Sequence, residues 1–359
     1  MVRNIVFFIL LTIFGALLML VTNSNTQPII FGEKPLTNAL APVSSLLNNG
    51  SIQTIPNISG NEIERLGLQK NLEEEIISLG ATDHVSLYYK NIIDGYEVKI
   101  NAERSWIPAS MVKAFVVIEA FRQKRLRIIN FDSRVTVKEE NVAPTELELT
   151  DYQPLRAGVK ATIRELIEAM IDQSDNTAYN TLMDVLDRRN ITSTLRRLGL
   201  NNTVVGEKLS LSDEQYALDT LVPGRQPNKT TAEDVAHLFA LLEKGKIENS
   251  DEILSIFKNQ KLKTMIPALL PANVDIAHKT GRWAPYYHDG GIVYKIGEPF
   301  ILVVFTDHND PNIIARLAKI SYYKTRDVLG IYTSSVPEMV LEIFHKAVSM
   351  FEHIGKNKR

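Results

Sequence analysis

The 359-residue sequence contains no cysteine. This absence excludes disulfide bonds, thiolate metal ligands, a cysteine nucleophile and a lipid-modified N-terminal cysteine. A strong excess of either charge is also missing, since 40 lysines and arginines stand against 42 aspartates and glutamates. Without a strongly basic face, we expect no nucleic-acid partner.

Metal-binding patterns of histidine are missing as well. The seven histidines are scattered, and none forms the H-x-H-x-D or H-E-x-x-H spacing that is typical of metal sites. We therefore expect no metal and no cofactor. His278 and His288 lie on either side of a short motif described below, and for both a packing role is favoured over direct chemistry.

The most apolar segment of the sequence is its N-terminus. Arg3 precedes 17 uncharged, mostly apolar residues from Ile5 to Val21. Such a run is typical of a signal sequence or a membrane anchor, and the lack of a small-residue cleavage pattern favours an uncleaved anchor over residues 1–22. We expect membrane contact through this run, with the rest of the chain anchored or secreted on the extracytoplasmic side.

Composition then separates a linker from a folded region. Residues 23–60 are rich in Asn, Ser, Thr, Pro and Gly, as in a flexible tether. The hydrophobic content of the whole chain, 45%, is that of an ordinary globular protein. We assign residues 61–359 to a single folded domain, and a monomer is favoured.

The order of the predicted elements indicates an α+β fold. These elements are a helix over Ile63–Leu79 that stops at Gly80, a hairpin of Val85–Tyr89 and Tyr96–Ile100 around Asp94-Gly95, helices that open with the capping signals Thr162–Glu165 and Thr230–Glu233, strands at Gly291–Tyr294 and Phe300–Phe305, and a last helix over about Pro337–His353. Strands come early and late, with helices between them. We therefore expect an antiparallel sheet flanked by helices, with an all-helical subdomain inserted at about residues 120–270.

The most informative short motif is Ser110-Met-Val-Lys113. A serine needs a neighbouring base to act as a nucleophile, and a lysine three residues later lies on the same face of a helix. The apolar run Ala114–Ile118 predicts that this helix is buried, and burial lowers the pKa of a lysine towards that of a usable base. The spacing alone is weak, because Ser255–Lys258 and Ser321–Lys324 repeat it.

Two more motifs make the first one specific. Ser174-Asp175-Asn176 and, later, Lys279-Thr280-Gly281 each occur once. Taken alone, the first triplet is typical of a helix end and the second of a turn. In this order and at about this spacing, the three motifs resemble those of class A β-lactamases and penicillin-binding proteins. The resemblance extends over about residues 65–355.

The resemblance implies catalytic roles for several motif residues. Ser110 would be the acylated nucleophile and Lys113 its base. Ser174 would pass a proton to the leaving nitrogen, with Lys279 positioning the hydroxyl. Asn176 would hydrogen-bond both the substrate amide and Lys113.

The same resemblance implies a substrate-binding strand. Lys279 and Thr280 would bind the substrate carboxylate, and Gly281 would let the substrate lie along the strand. The backbone N–H of Arg282 would form an oxyanion hole together with that of the nucleophile. Asp175 is expected to be structural, bonding nearby backbone.

One residue departs from the pattern that the resemblance implies. A deacylating glutamate is expected in the loop before Pro223-Gly224, but Gln215 stands at that position, and a glutamine cannot act as a general base. Three possibilities stay open. Glu214 or Asp213 serves after a local shift, deacylation is slow, or the natural acyl group is a D-alanyl peptide that the lysines release. The cleft rim at 141–154 departs from the pattern too.

The expected function is therefore that of an extracytoplasmic serine hydrolase. A β-lactam would acylate Ser110 and would then be released by hydrolysis. The alternatives are a penicillin-binding-type D-alanyl-D-alanine carboxypeptidase that acts on cell-wall peptide, and a penicillin sensor without turnover.

Overall fold

The computed structural model describes residues 30–31, 34–35, 60–144, 152–209, 227–308, 310 and 312–324. Several expectations lie outside the described residues: the anchor at 1–22, most of the linker at 23–60, the rim residues 145–151, the loop with Asp213, Glu214 and Gln215, and the helix at 337–353. Within the described ranges, no helix is both long and apolar enough to cross a membrane.

The chain divides into two compact units, residues 1–62 and 63–359. In the first unit, strand β1 (Ile30–Phe31) pairs antiparallel with strand β2 (Lys34–Pro35). The second unit holds the remaining described strands and helices and all of the sequence motifs. Helix α1 (Gly60–Ser78) begins at the boundary between the units and ends just before Gly80, the residue predicted to stop it.

An antiparallel sheet of five strands forms the centre of the second unit. The strands are β3 (Val85–Asn91), β4 (Glu97–Ile100), β7 (Ile276–Trp283), β8 (Tyr286–Val293) and β9 (Phe300–Thr306). Their order in the sheet is β4-β3-β9-β8-β7. The predicted hairpin around Gly95 is confirmed. The alternative of a turn at Lys279–Gly281 is wrong, because these residues lie inside β7.

Helices occupy the middle of the chain, as expected. They are α2 (Lys113–Arg125), α3 (Ile163–Asp172), α4 (Asn176–Leu186), α5 (Arg188–Arg197), α6 (Ala232–Glu243) and α7 (Ser250–Lys258), with α8 (Asn312–Tyr323) following β9. The inserted region is not all-helical, because β5 (Arg134–Thr136) and β6 (Lys160–Thr162) form a small antiparallel sheet within it. The α+β fold with an antiparallel sheet and flanking helices is confirmed.

One of the two predicted helix caps differs from the sequence pattern. Thr162 and Glu165 form the expected capping box of α3. In α6, however, the cap is Thr231, whose side chain accepts a hydrogen bond from Asp234 N at 3.0 Å. Thr230, which the pattern had selected, lies 2.8 Å from the hydroxyl of Thr203 instead. Two adjacent threonines give the same capping signal, and the tertiary contact decides between them.

Two apolar clusters cover the two faces of the sheet. The larger one includes α2, α3, α4, α6 and α7, and the other joins α1 and α8 to the opposite face. Helix α2 lies deep in the larger cluster, as its apolar run predicted. Its Glu119 is completely buried, but the carboxylate accepts hydrogen bonds from Arg122, Gln123 and Thr194, so the charge is compensated.

Candidate active site

Ser110 lies where a short 3-10 turn, Ala109–Val112, runs into helix α2. Met111 N donates a hydrogen bond to Pro108 O at 3.0 Å, which closes this turn. Ala109 has a φ of 47°, a left-handed conformation that costs energy for a residue with a side chain. The predicted helix start at Ser110 is therefore a tight and strained turn, and the surrounding structure holds it in place.

The amine of Lys113 is the centre of the site. Its Nζ lies 2.7 Å from Ser110 Oγ, 2.7 Å from Ser174 O and 2.6 Å from Asn176 Oδ1. A neutral amine has two N–H donors and one lone pair. The carbonyl and the amide oxygen can take these two donors, which leaves the lone pair for the proton of Ser110. The contacts are therefore compatible with a neutral lysine, and the electrostatics decide its protonation state.

Electrostatics favour the same protonation state. Lys113 is completely buried, and burial is the main cause that holds its pKa well below the usual value for lysine. The positive charge of Lys279 lowers the pKa of Lys113 further, and Asp175 opposes both effects. A lysine with a lowered pKa can act as a general base near neutral pH.

Ser174 stands between two lysines. Its Oγ lies 3.0 Å from Lys279 Nζ and 3.2 Å from Lys113 Nζ. Lys279 is also completely buried, and its Nζ donates to Thr280 O at 2.9 Å. Lys279 can donate to the hydroxyl of Ser174 while that hydroxyl exchanges a proton with Lys113, so the geometry supports a relay.

Asp175 has the structural role that was expected of it. Its carboxylate caps helix α4 by accepting a hydrogen bond from Ala178 N at 2.6 Å. It also accepts bonds from Leu155 N at 3.1 Å and from the hydroxyl of Tyr152 at 2.7 Å. These contacts fix the turn in which Ser174 has a φ of 58°.

Strand β7 passes directly against the turn of the nucleophile. A Cβ atom on Gly281 would lie 2.7 Å from Pro108 O, closer than real Cβ contacts, and 3.0 Å from Met111 N. Because side chains alternate along a strand, Lys279 and Gly281 share one face and Thr280 and Arg282 the other. Only glycine fits at position 281.

The structure brings most of the motif residues together. Hydrogen bonds link Ser110, Lys113, Ser174, Asn176 and Lys279, and Gly281 lies against the turn of Ser110. By contrast, the side chain of Thr280 is 2% exposed on the other face of β7, and the guanidinium of Arg282 lies over the ring of Tyr287. The expected roles of Thr280 in carboxylate binding and of the Arg282 N–H in the oxyanion hole stay predictions.

His278 and His288 have packing roles, as the sequence favoured. His278 Nδ1 lies 2.9 Å from the carboxylate of Asp289, and both residues are completely buried. His288 Nε2 donates to Ile107 O at 2.8 Å, and its ring packs against Trp106 just upstream of the nucleophile. Among the described residues, no three His, Asp or Glu side chains are placed to hold a metal ion.

Two asparagines that the sequence did not single out anchor the ends of the segment 210–226. Asn180 accepts from Leu209 N at 2.8 Å and donates to Leu209 O at 3.0 Å. Asn228 accepts from Gly206 N at 2.8 Å and donates to Glu207 O at 3.1 Å. The four-residue spacing of Asn176 and Asn180 was the available signal for the first anchor; no sequence pattern indicated Asn228.

The other two Ser-x-x-Lys copies form no comparable site. Ser255 and Lys258 are both exposed on helix α7. Ser321 Oγ donates to Leu317 O within helix α8, and Lys324 pairs with Glu298. Exposure distinguishes the second copy from the first, and in the third copy the buried Ser321 and the half-buried Lys324 are bonded to other groups.

Comparisons with known proteins agree with this geometry. The family described as "Beta-lactamase enzyme family" matches residues 68–325. A β-lactamase of Bacteroides uniformis is 23% identical over 238 residues, covering 59% of this chain and 77% of that protein. The β-lactamase AST-1 of Nocardia asteroides is 32% identical over 176 residues, covering 45% of this chain and 54% of that protein.

The fold also matches solved structures. PBP-A is similar with a TM-score of 0.61 and 24% identity, covering 72% of this chain and 95% of that chain. A mutant of PBP-A has been solved as an acyl-enzyme complex with penicillin G. At this level of identity, the likeness shows a common fold.

We predict that Gly281→Ala slows acylation of Ser110. The added methyl group must push β7 away from the turn Pro108–Met111, and a displacement of about 1 Å at a reacting group can cost about 10²-fold in rate. The rate of adduct formation with penicillin G, followed by intact mass, measures the effect. Gly67→Ala on helix α1, where an added Cβ meets nothing within 4 Å, is the matched control. Equal rates for both variants would contradict the prediction.

We also predict that His288 makes the protein sensitive to acid. Burial is the main cause that lowers the pKa of His288 to about 4 from its usual 6.5, so the unfolded chain binds the proton more tightly. The stability that the neutral ring contributes is complete above pH 6.5 and is lost as the pH falls towards 4, by about 3 kcal/mol. Urea unfolding should show that the unfolding free energy lost through His288→Asn becomes smaller as the pH falls from 6.5 towards 4. A cost that is independent of pH would refute the assignment.

Proposed function

This chain belongs to the β-lactamase enzyme family and is a serine β-lactamase-like hydrolase, and we propose that its substrate is a β-lactam. Ser110 Oγ attacks the carbonyl carbon of the four-membered ring, the ring C–N bond breaks, and an ester to Ser110 forms. Water then cleaves that ester, which restores the serine. The observation that carries this proposal is the buried Lys113 amine, whose Nζ lies 2.7 Å from Ser110 Oγ.

The acylation step uses protons that are already present in the site. Lys113 accepts the proton of Ser110 as the Oγ–C bond forms. The proton then reaches the leaving ring nitrogen through the hydroxyl of Ser174, which lies within 3.2 Å of Lys113 Nζ. Lys279 holds that hydroxyl from the other side. The side chain of Asn176, which already holds Lys113, reaches the substrate amide.

Strand β7 supplies the binding surface. We place the oxyanion between the backbone N–H groups of Ser110 and Arg282, a placement supported by the contact of Gly281 with the Pro108 carbonyl. We place the substrate carboxylate near Lys279 and Thr280. The buried positive charge of Lys279 gives an anionic substrate a strong local attraction.

Deacylation needs a second base, and we propose Glu214 for this role. Gln215 cannot take a proton from water, whereas Glu214 is its immediate neighbour in the sequence. The described contacts support this proposal up to Leu209, because Asn180, one helical turn from Asn176, fixes Leu209, and Asn176 bonds Lys113. The segment that carries Glu214 therefore starts beside the site.

We further propose that residues 5–21 anchor the chain in a membrane with the site on the extracytoplasmic side. The sequence of one basic residue followed by an uncharged apolar run supports this placement. Protease treatment of intact cells tests it, because an extracytoplasmic domain is cleaved while a cytoplasmic control protein is protected.

A slow, penicillin-binding-type reaction is the second candidate. Gln215 at the expected position of the base favours it, and the fold likeness to PBP-A agrees. In this case the natural acyl donor is a D-alanyl peptide, or the adduct itself is a signal. The lifetime of the penicillin adduct separates the two, since seconds indicate hydrolysis and hours indicate a binding protein or sensor.

We predict that Lys113→Ala slows acylation by about 10²- to 10⁴-fold, the usual contribution of a general base. Lys113→Arg should be similarly slow, because a guanidinium stays protonated. In the wild type, acylation should fall as the pH drops through the lowered pKa of Lys113. Stopped-flow rates with nitrocefin between pH 5 and 9 measure both effects.

The matched control for Lys113 is Lys258→Ala, from an exposed Ser-x-x-Lys copy. This variant should react at the wild-type rate, and Ser110→Ala should form no adduct while Ser255→Ala forms one. An active Lys113→Ala variant would remove the lysine from the mechanism.

We predict that Glu214→Gln lengthens the life of the penicillin adduct while leaving its formation unchanged. The loss of the base should slow hydrolysis by about 10²-fold or more, as time-resolved intact mass would show. Asp213→Asn is the control and should leave the lifetime unchanged. If Glu214→Gln has no effect and Gln215→Glu speeds release, the wild type lacks a deacylating base and the second candidate is correct.

A further inference from the structure

A pair of aromatic rings lies at the end of strand β7, beyond the residues that the mechanism uses. Trp283 is the last residue of β7 and Tyr286 the first of β8, and the two are direct partners in the antiparallel register. Their ring centroids are 5.8 Å apart with an interplanar angle of 27°, so the rings are stacked. Only Ala284 and Pro285 connect them, and both are exposed.

These rings lie on the face of the sheet that carries the site. Alternation puts Trp283 on the same face as Lys279 and Gly281. Trp283 is two residues beyond Gly281, a distance of about 7 Å along an extended strand. Because Gly281 contacts the turn of Ser110, an acyl group on that serine that continues along β7 reaches Trp283 next.

The stacked pair of Trp283 and Tyr286 is attached to the buried core through Trp106. Tyr286 meets Trp106 edge to face, with centroids 6.4 Å apart. Trp106 is buried, its indole N–H donates to Ser86 Oγ at 2.8 Å, and its backbone pairs with Thr230. The three rings thus extend from the core outwards in the order Trp106, Tyr286 and Trp283.

Core packing explains the inner rings of this series better than the outer one. Tyr286 packs against the larger apolar cluster, whereas the cluster, as defined over the described residues, does not include Trp283. Both Trp283 and Tyr286 are half-buried. A partly exposed indole at a hairpin tip beside a nucleophile is the kind of surface on which a planar ligand group stacks.

We propose that Trp283 and Tyr286 form an aromatic platform that binds a planar, aromatic acyl side chain of the substrate. This inference rests on the proposed function, since it places the acyl group on Ser110. The platform selects among β-lactams by their acyl side chain and takes no part in bond cleavage. An aromatic acyl group gains binding free energy from stacking on these rings, whereas an absent or small acyl group does not.

The test compares two penicillins that differ only in this side chain. Penicillin G carries a phenylacetyl group, and 6-aminopenicillanic acid has the same ring system with a free amine. The ratio of their acylation rates at Ser110, measured by time-resolved intact mass, should fall about fivefold in Trp283→Ala and in Tyr286→Ala. Trp283→Phe should retain most of the preference for penicillin G, because phenylalanine keeps a stacking ring.

The control is Tyr323→Ala, which removes a half-exposed aromatic residue from helix α8. It should leave the ratio unchanged, and thermal melting should confirm that all the variants fold. An unchanged ratio in Trp283→Ala would overturn the platform while leaving the proposed function intact, because both compounds would still acylate Ser110.

If neither compound reacts with Ser110, the proposed function is refuted. A second measurement then still tests the platform. Ligand-observed NMR on the Ser110→Ala protein compares phenylacetylglycine with acetylglycine, and neither of these forms a covalent bond. The aromatic compound should bind the more tightly, and the additional change Trp283→Ala should abolish the difference. Equal binding of both compounds to Ser110→Ala would overturn the platform.

Discussion

Two lysine amines share one serine hydroxyl in the interior of this protein, and most features of the site depend on that arrangement. Lys113 and Lys279 are both completely buried, and their Nζ atoms lie 3.2 and 3.0 Å from Ser174 Oγ. Burial disfavours the charged form of an amine, and this is the main cause that holds the pKa of Lys113 well below its usual value. The positive charge of Lys279 lowers that pKa further, so the neutral form of Lys113 is favoured.

The surrounding fold maintains this arrangement with few groups. Among the described residues, the carboxylate of Asp175 is the negative charge that raises the Lys113 pKa, and its oxygens cap α4 and hold Leu155 and Tyr152. As a cap, Asp175 fixes the turn at Ser174, whose backbone carbonyl accepts a hydrogen bond from Lys113 Nζ.

The sequence predicted the parts of the site that depend on chemistry, and missed those that depend on tertiary contact. The motif order identified Ser110, Lys113 and Ser174 because their functional groups have few substitutes. The turn interpretation of Lys279–Gly281 was wrong because the register with β8 decides that the segment is a strand. Similarly, Thr230 and Thr231 have equal capping propensity, and Thr230 is held instead by its bond to Thr203 and its backbone pairing with Trp106. Neither the register nor that bond is a local property of the sequence.

In the proposed function, the two half-reactions depend on different parts of the chain. Acylation relies on buried groups from α2, the turn before α4 and β7, all fixed by the core of the domain. Deacylation is assigned to Glu214, in a segment whose described ends are tied by Asn180 and Asn228. Substitutions in that segment can change the lifetime of the acyl-enzyme without altering how it forms. On this proposal, a hydrolase and a long-lived penicillin binder share the same Ser110–Lys113–Ser174 geometry, and the presence of a deacylating base distinguishes them.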